Sequence, residues 1–236
     1  MNIEIKSTIK SAWALVAGSK RAFFSTFFAF ILLQVLLLTI KTEFDRFVPY
    51  PTVSNLLIFV LTVFLVSPLV TGFMIMGLKR AKDQTILWKN GFAYYNQIGR
   101  LFLTYISAAF LAYAALLIFA VVFFGSMAAL FYLIHPVLIV RYVLLAIIVV
   151  LMLILVLSLT TLFSFSLILT AERKSSPLKA PFHSAKMIWP HLKKMVLLFV
   201  SLLCINIIGA LLLGVGLIWT LPLLYISIGK VYLQLS

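Results

Sequence analysis

The side chains that could do acid–base chemistry are few in this sequence. Its carboxylates are Glu4, Glu43, Asp45, Asp83 and Glu172. Only Glu43 and Asp45 lie close together, and Lys41 and Arg46 flank them. That spacing is typical of a solvated charge cluster, with a catalytic carboxylate pair as the alternative. No arrangement of serine, histidine and aspartate for nucleophilic catalysis can be argued from these positions.

The histidines and the cysteine add little chemistry to this set. The histidines are His135, His183 and His191. His183 and His191 are eight positions apart, and solvated side chains at a membrane interface explain them better than a weak metal site. The single cysteine, Cys204, makes a thiolate metal site implausible, and we expect no cofactor and no metal.

Four polar side chains interrupt strongly apolar segments, where they could line a polar path through a membrane. They are Gln34, Ser158, Thr161 and Asn206. For the two amides, the alternative is a hydrogen bond to a neighbouring helix. For the hydroxyls, part of a run from Ser158 to Thr170, the alternative is a bond to a carbonyl one turn earlier. We favour these packing alternatives and leave the substrate contact open.

Two prolines, Pro68 and Pro222, stand in the middle of apolar segments. Each removes one backbone hydrogen bond, so we predict a helix kink at each position. Paired interruptions of this kind can mark the midplane site of a transporter. A kink that only shapes helix packing is the simpler interpretation, and the transporter site is the alternative.

The overall composition shows which kind of protein carries these residues. The 236 residues are 64% hydrophobic and 10% charged, against about 45–50% and about 25% in soluble domains. A soluble chain of this length cannot bury that much apolar surface. A soluble enzyme, a secreted disulfide scaffold and a disordered chain are therefore excluded, and an integral membrane protein remains.

Long uncharged intervals predict an all-α protein with six transmembrane helices, since about 20 apolar residues cross a bilayer. We place them at Ala22–Ile40, Asn55–Leu78, Leu101–Phe124, Arg141–Ala171, Met195–Leu213 and Leu217–Val231. The fourth is about 46 Å long as one helix, so it must tilt or protrude. The apolar piece between Gly125 and Pro136 is too short to span, and we predict a separate re-entrant or interfacial helix there.

The basic residues are distributed unevenly among the predicted loops. There are 19 lysine and arginine residues against five acidic ones. Sixteen of the 19 fall in alternate segments on one side of the predicted spans and three on the other. The positive-inside rule therefore predicts that both termini are cytoplasmic. We expect anionic membrane lipids as partners on that side and no nucleic acid.

An amphipathic stretch with aromatic and basic residues precedes the first, third and fifth spans. Apolar positions have helical spacing from Ile5 to Val16, from Trp88 to Tyr95 and from Phe182 to Leu192. Such helices lie in the headgroup layer with their cations toward anionic lipid. We predict anionic-lipid contacts at Lys79, Arg80, Lys82, Arg100, Lys186, Lys193 and Lys194.

An amphipathic stretch followed by a helical hairpin occurs three times along the chain. This predicts a three-fold repeat within one membrane domain, 1–236. Its units are 1–78, 79–171 and 172–236. The second and sixth spans share a mid-span Pro-Leu pair and end near Gly77 and Gly229, each followed by a lysine. In the middle unit, hydroxyl residues take the place of the proline.

The segment KAPFHSAKMIWPHLKKMVLLF contains Ser184, Ala185, Trp189 and a following basic pair. Together with the C-terminal GVGLIWTLPLLY, it resembles the YciC-type bacterial inner-membrane proteins. It is also similar to the membrane domains attached to some glycerophosphodiester phosphodiesterases. The resemblance implies a six-span protein of the bacterial inner membrane with no settled biochemical activity. The phosphodiesterase activity does not carry over, because nothing in this sequence corresponds to that domain.

These observations favour a non-enzymatic multi-pass membrane protein that acts as an envelope scaffold, an assembly factor or a lipid-interacting factor. A small-molecule transporter or channel is the alternative, suggested by the two prolines and the hydroxyl run. An intramembrane enzyme ranks third, because the general acids and activated nucleophiles that it requires are missing. A second copy of the chain or another envelope protein is the expected protein partner.

Overall fold

A computed structural model describes residues 4–47, 50–134, 138–173, 175–212 and 214–236. All the regular elements in these ranges are helices, and the described residues contain no strand. The α-helices are α1 (Ile5–Val16), α2 (Lys20–Phe47), α3 (Pro51–Ala81), α4 (Ile98–Ile134), α5 (Leu138–Leu162), α6 (Ser166–Glu172), α7 (Ala180–Ile188), α8 (Leu192–Leu211) and α9 (Leu217–Leu235). His135 lies outside the described residues.

Within the described ranges, six helical segments are long and apolar enough to cross a membrane, which confirms the number of spans predicted from the sequence. Local signals explain several of their ends. Pro51 begins α3 at its first turn, where a missing N–H costs no helical hydrogen bond. After α3, Asp83 adopts a left-handed φ of 58°, a conformation that aspartate tolerates better than most residues. The turn between α8 and α9 contains Gly214 at φ 75°.

Most buried side chains lie at one end of the molecule, which we call the packed end. There, α1 packs against α9, α9 against the second half of α3, and α6 against α4 and α7. The centre of this region consists of fully buried apolar residues that include Ile75, Leu101, Phe165, Ile168, Ile188 and Ile226. By contrast, no residue is buried in 27–36 of α2, 105–126 of α4 or 149–158 of α5. We call these three segments the exposed stretches.

Two helices of the predicted repeat, α3 and α9, contact each other through glycine. A Cβ at Gly77 would lie 2.2 Å from the carbonyl oxygen of Tyr225, and a Cβ at Gly229 would lie 2.8 Å from Gly77. Close backbone approach between membrane helices requires small residues of this kind. Pro68 and Pro222 both lie inside helices that continue past them, and the repeat itself remains a prediction.

The fourth span differs from the single helix predicted for Arg141–Ala171. The helix breaks at 163–165, between α5 and α6. At the break, the backbone N–H of Phe165 donates to Ser184 Oγ at 3.1 Å, and the same hydroxyl donates to the carbonyl of Leu162 at 2.6 Å. Ser184 therefore provides the hydrogen bonds that a continuous helix would have made. The break shortens the apparent 46 Å helix without leaving these two buried groups unpaired.

The amphipathic stretch predicted from Trp88 to Tyr95 is not an α-helix. It forms two short 3-10 turns, Trp88–Gly91 and Tyr95–Gln97. The reason is how closely Gly91 is packed, since its backbone lies against Gly72 of α3 and Thr26 of α2. An α-helix about 10 Å wide cannot enter that gap. The first and third stretches are helical, as α1 and α7, and their place in a headgroup layer remains a prediction.

Two further boundaries were predicted wrongly. The piece after Gly125 is not a separate helix, because α4 continues without a break to Ile134. A single glycine costs a helix only about 1 kcal/mol, and Pro136, the first proline after Gly125, lies outside the described residues.

The loop predicted around Glu43 and Asp45 is helical, because α2 extends to Phe47. Its ion pairs, Lys41–Asp45 at 2.6 Å and Arg46–Glu43 at 2.9 Å, follow from helical spacing.

Candidate anion-binding site

A cavity of about 320 Å³ lies at the packed end between the end of α6 and one face of α7. We call it the α6–α7 pocket. Its lining consists of Leu169, Arg173, Ser175, His183, Lys186 and Met187. Three basic side chains, two apolar ones and a serine thus surround one space. That combination suits an anion attached to an apolar body.

The helix α7 presents its basic residues to this pocket because its other face is committed to the core. Ala180, Ser184 and Ile188, spaced one turn apart, are buried. His183 and Lys186 are three positions apart and share the opposite, exposed face. The two hydrogen bonds of Ser184 to the α5–α6 break fix the rotation of α7 about its axis. The same serine therefore decides which side chains of α7 reach the pocket.

The other wall of the pocket is held by contacts of Arg173 and of the segment that follows it. The guanidinium of Arg173 lies 5.8 Å from the ring centre of Tyr232 and 3.5 Å from the backbone oxygen of Ser236. Arg100 donates to the carbonyl of Ser175 at 3.3 Å. Ser107 donates to the carbonyl of Pro177 at 3.1 Å. These contacts attach the connection between α6 and α7 to α4 and α9.

The electrostatics of the pocket favour a negatively charged ligand. Among the described residues, neither Arg173 nor Lys186 forms an ion pair with an Asp or Glu side chain. Glu172, the nearest acidic residue in sequence, pairs instead with Lys82 at 3.9 Å. The uncompensated cations can bind a phosphate or carboxylate group by charge-assisted hydrogen bonds. In the described part of the chain, no group of three or more His, Cys, Asp or Glu residues could hold a metal ion.

Among the cations predicted to contact anionic lipid, Arg80, Lys82 and Arg100 contact other parts of the protein. Arg80 donates through Nε to the carbonyl of Leu15 at 3.0 Å and lies 3.5 Å from Asp83. Lys82 pairs with Glu172 and Arg100 bonds to Ser175. Lys186 lines the pocket. Lys193 and Lys194 are exposed in the first turn of α8, and Lys79 is partly buried in the last turn of α3.

The predicted polar path is distributed over three helices that the structure does not bring to one cavity. The amide of Asn206 donates to the carbonyl of Leu202 at 2.8 Å. The hydroxyls of Ser158 and Thr161 donate one turn back along α5, at 2.7 Å and 2.6 Å. Gln34 is partly buried on α2. None of these four residues lines a cavity described here.

Sequence reasoning missed Arg173 and treated His183 only as a solvated interfacial residue. Both belong to the longest basic segment of the chain, from Arg173 to Lys194, so the charge density gave a signal. What the sequence lacked was the break between α5 and α6, which places Arg173 opposite α7. Without that break, the end of the fourth span and the amphipathic stretch after it have no defined relative position.

Comparison with known protein families, with curated proteins and with solved structures finds no match to this chain. The resemblance to YciC-type membrane proteins therefore stays a prediction from the sequence.

Proposed function

We propose that this chain is a non-enzymatic multi-pass membrane protein that binds anionic lipid headgroups at its packed end and acts as an envelope scaffold or assembly factor. The observation that carries the proposal is the α6–α7 pocket, with Arg173, His183 and Lys186 around one cavity of about 320 Å³. Each cation near an anionic headgroup contributes up to about 1 kcal/mol. Two cations on one ligand, Arg173 and Lys186, select for charge without any catalytic group.

The hydrogen bonding of the apolar helices supports a scaffold over a transporter. Pro68 frees the carbonyl of Phe64, the acceptor that a transporter site would use, and Ser67 Oγ lies 3.3 Å from it. The hydroxyls of the fourth span bond to their own helix. Polar groups that are already paired in this way offer less to a passing substrate. No cavity with polar walls connects them, among those described here.

Lipid retention tests the pocket directly. We expect Arg173→Gln with Lys186→Gln to weaken binding of phosphatidylglycerol to the purified chain by about 10–30-fold, measured by native mass spectrometry from a mild detergent. The matched control is Lys6→Gln with Lys10→Gln, which removes the same charge from the exposed face of α1. Equal lipid retention in the two double variants would overturn the proposal.

Accessibility of single cysteines tests the orientation that the proposal requires. With Cys204 removed, a cysteine near Asp45 should react with an impermeant thiol reagent in intact cells. A cysteine near Lys82 or Ser175 should react only after the cells are opened, because the packed end is proposed to face the cytoplasm. The reverse labelling pattern would place the basic pocket on the outer side and exclude its contact with the cytoplasmic leaflet.

A further inference from the structure

The largest cavity described here lies away from the α6–α7 pocket, beside the turn between α1 and α2. Its volume is about 740 Å³. Its lining residues are Ala17, Gly18, Lys20, Arg21, Ala22, Ser25, Ile86, Leu87 and Trp88. One wall is therefore the first turn of α2, and the other is the chain segment that leads into the first 3-10 turn.

Cations dominate the polar part of this cavity. Lys20 and Arg21 line it, and the lining contains no acidic residue. The guanidinium of Arg80 approaches the same turn, since a Cβ at Gly18 would lie 2.8 Å from Arg80 Nη2, but it pairs with Asp83 at 3.5 Å, so the attraction for an anion depends on Lys20 and Arg21. Lys20 Nζ also lies 4.7 Å from the ring centre of Trp219, which fixes the position of its ammonium group. The described groups around the turn thus favour an anion.

An apolar track on α2 begins at Arg21, the residue that also lines the cavity. Arg21, Phe24, Phe28, Ile31 and Val35 follow one another at spacings of three and four, so they share one face of the helix. The four apolar members are 50%, 54%, 41% and 55% exposed. Trp88, at the mouth of the cavity, is also exposed, and tryptophan is enriched at the level of lipid headgroups.

From this arrangement we infer that the cavity binds the phosphate of an anionic phospholipid, with its acyl chain along the exposed face of α2. Arg21 lies at the end of the apolar track, where the phosphate of a lipid on that track would lie. A free phosphate would use the same cations and gain nothing from Phe24 or Phe28. The inference depends on residues that do not belong to the α6–α7 pocket and holds whether or not that pocket binds lipid.

Two substitutions in the 236-residue chain, each with a matched control, test the headgroup and the acyl chain separately. The measurement is titration of delipidated protein with phosphatidylglycerol, followed by native mass spectrometry. Arg21→Gln keeps the Lys20–Trp219 contact, and we expect about fivefold weaker binding at this site. Lys10→Gln, on the exposed face of α1, is its control and should bind as wild type.

Phe28→Ala should weaken binding about threefold, because the acyl chain loses part of its apolar contact. Its control is Phe124→Ala, since both rings are 54% exposed and only Phe28 lies on the track. Unchanged binding in Arg21→Gln would overturn the site. Displacement of the lipid by inorganic phosphate, together with no effect of Phe28→Ala, would show that the cavity takes free phosphate and would overturn the lipid assignment.

The outcomes for the two sites are distinguishable. Arg173→Gln with Lys186→Gln should remove one bound lipid and leave the one that Arg21 holds. If that double variant keeps all its lipid while Arg21→Gln loses one, the proposed function of the α6–α7 pocket fails and the α2 site stands. If Arg21→Gln binds lipid as wild type does while the double variant loses one lipid, the present inference fails and the proposed function of the α6–α7 pocket stands.

Discussion

Ile226 in α9 and Ile118 in α4 are the same residue type in two strongly apolar helices, yet Ile226 is 0% exposed and Ile118 is 64% exposed. The difference extends to their surroundings. In the most apolar window of each segment, 50% of residues are buried in α9 and 0% in the segment that contains α4. Apolarity therefore does not determine which segments pack against one another in this protein.

What distinguishes the packed end is the contact that its small and hydroxyl residues make with other helices and turns. The backbone of Gly72 lies against that of Gly91, and the backbone of Gly77 lies against that of Gly229. The hydroxyl oxygens of Thr104 and Thr170 are 2.9 Å apart. In the exposed stretch of α4, a Cβ at Gly125 would meet nothing within 4 Å. Lipid tails are as apolar as leucine, so helices in a membrane associate through close packing and hydrogen bonds rather than through the hydrophobic effect.

The largest expected effect is the removal of a core side chain. Ile226→Ala should lower the free energy of unfolding by about 4 kcal/mol, because the cavity it leaves cannot collapse fully. Ile118→Ala should change it by less than about 0.5 kcal/mol, since lipid or detergent fills the space. Unfolding in detergent by SDS, followed by helical circular dichroism, measures both. Equal costs would show that the exposed stretch is also a packing surface.

A methyl group added at a glycine should have the next largest effect. Gly77→Ala places a Cβ 2.2 Å from the carbonyl oxygen of Tyr225, so α3 and α9 must separate, at a cost of about 3 kcal/mol. Gly125→Ala is the matched control, and its higher helix propensity should stabilise α4 by up to about 1 kcal/mol. The same unfolding measurement applies. A stabilised Gly77→Ala would contradict the contact between α3 and α9.

Loss of one buried hydroxyl should have a smaller effect. Ser184→Ala leaves the N–H of Phe165 and the carbonyl of Leu162 without their partner, which should cost about 2 kcal/mol. Ser201→Ala removes a hydroxyl that donates only to the carbonyl of Leu197 in its own helix, so we expect almost no change. Hydrogen exchange at residues 163–166 should increase in Ser184→Ala alone. Unchanged exchange there would mean that other groups hold the break.

The prolines should contribute least to the difference in stability between the packed end and the exposed stretches. Pro68→Ala with Pro222→Ala restores one backbone hydrogen bond in each helix, and stability should change by about 1 kcal/mol in either direction. Because the proposed lipid sites do not depend on these carbonyls, the double variant should keep its bound phospholipid and complement a deletion strain. A folded double variant that retains lipid but fails to complement would favour transport over the scaffold function.

The sequence allowed the number of spans to be predicted because hydropathy over about 20 residues depends on composition alone. It did not allow the packed end to be predicted, because its contacts join distant positions. Arg80 bonds to the carbonyl of Leu15, 65 positions away, and Arg100 to that of Ser175, 75 positions away. Predicted lipid cations such as Arg80 and Arg100 therefore contact protein, and the pocket depends on a helix break that no proline or glycine marks.

The contact of Ser184 also imposes an order on the folding of the chain as it is synthesised. The N–H of Phe165 needs a partner that lies 19 residues later in the chain, so the break at 163–165 lacks these hydrogen bonds until α7 can pack. Until then, the fourth span is complete in length, but the N–H of Phe165 and the carbonyl of Leu162 have no Ser184 hydroxyl to pair with. A released chain that ends at residue 180 should be cut at this break by protease, whereas a released chain that extends beyond residue 200 should resist. The serine thus acts as a latch that closes only when the next helix has emerged.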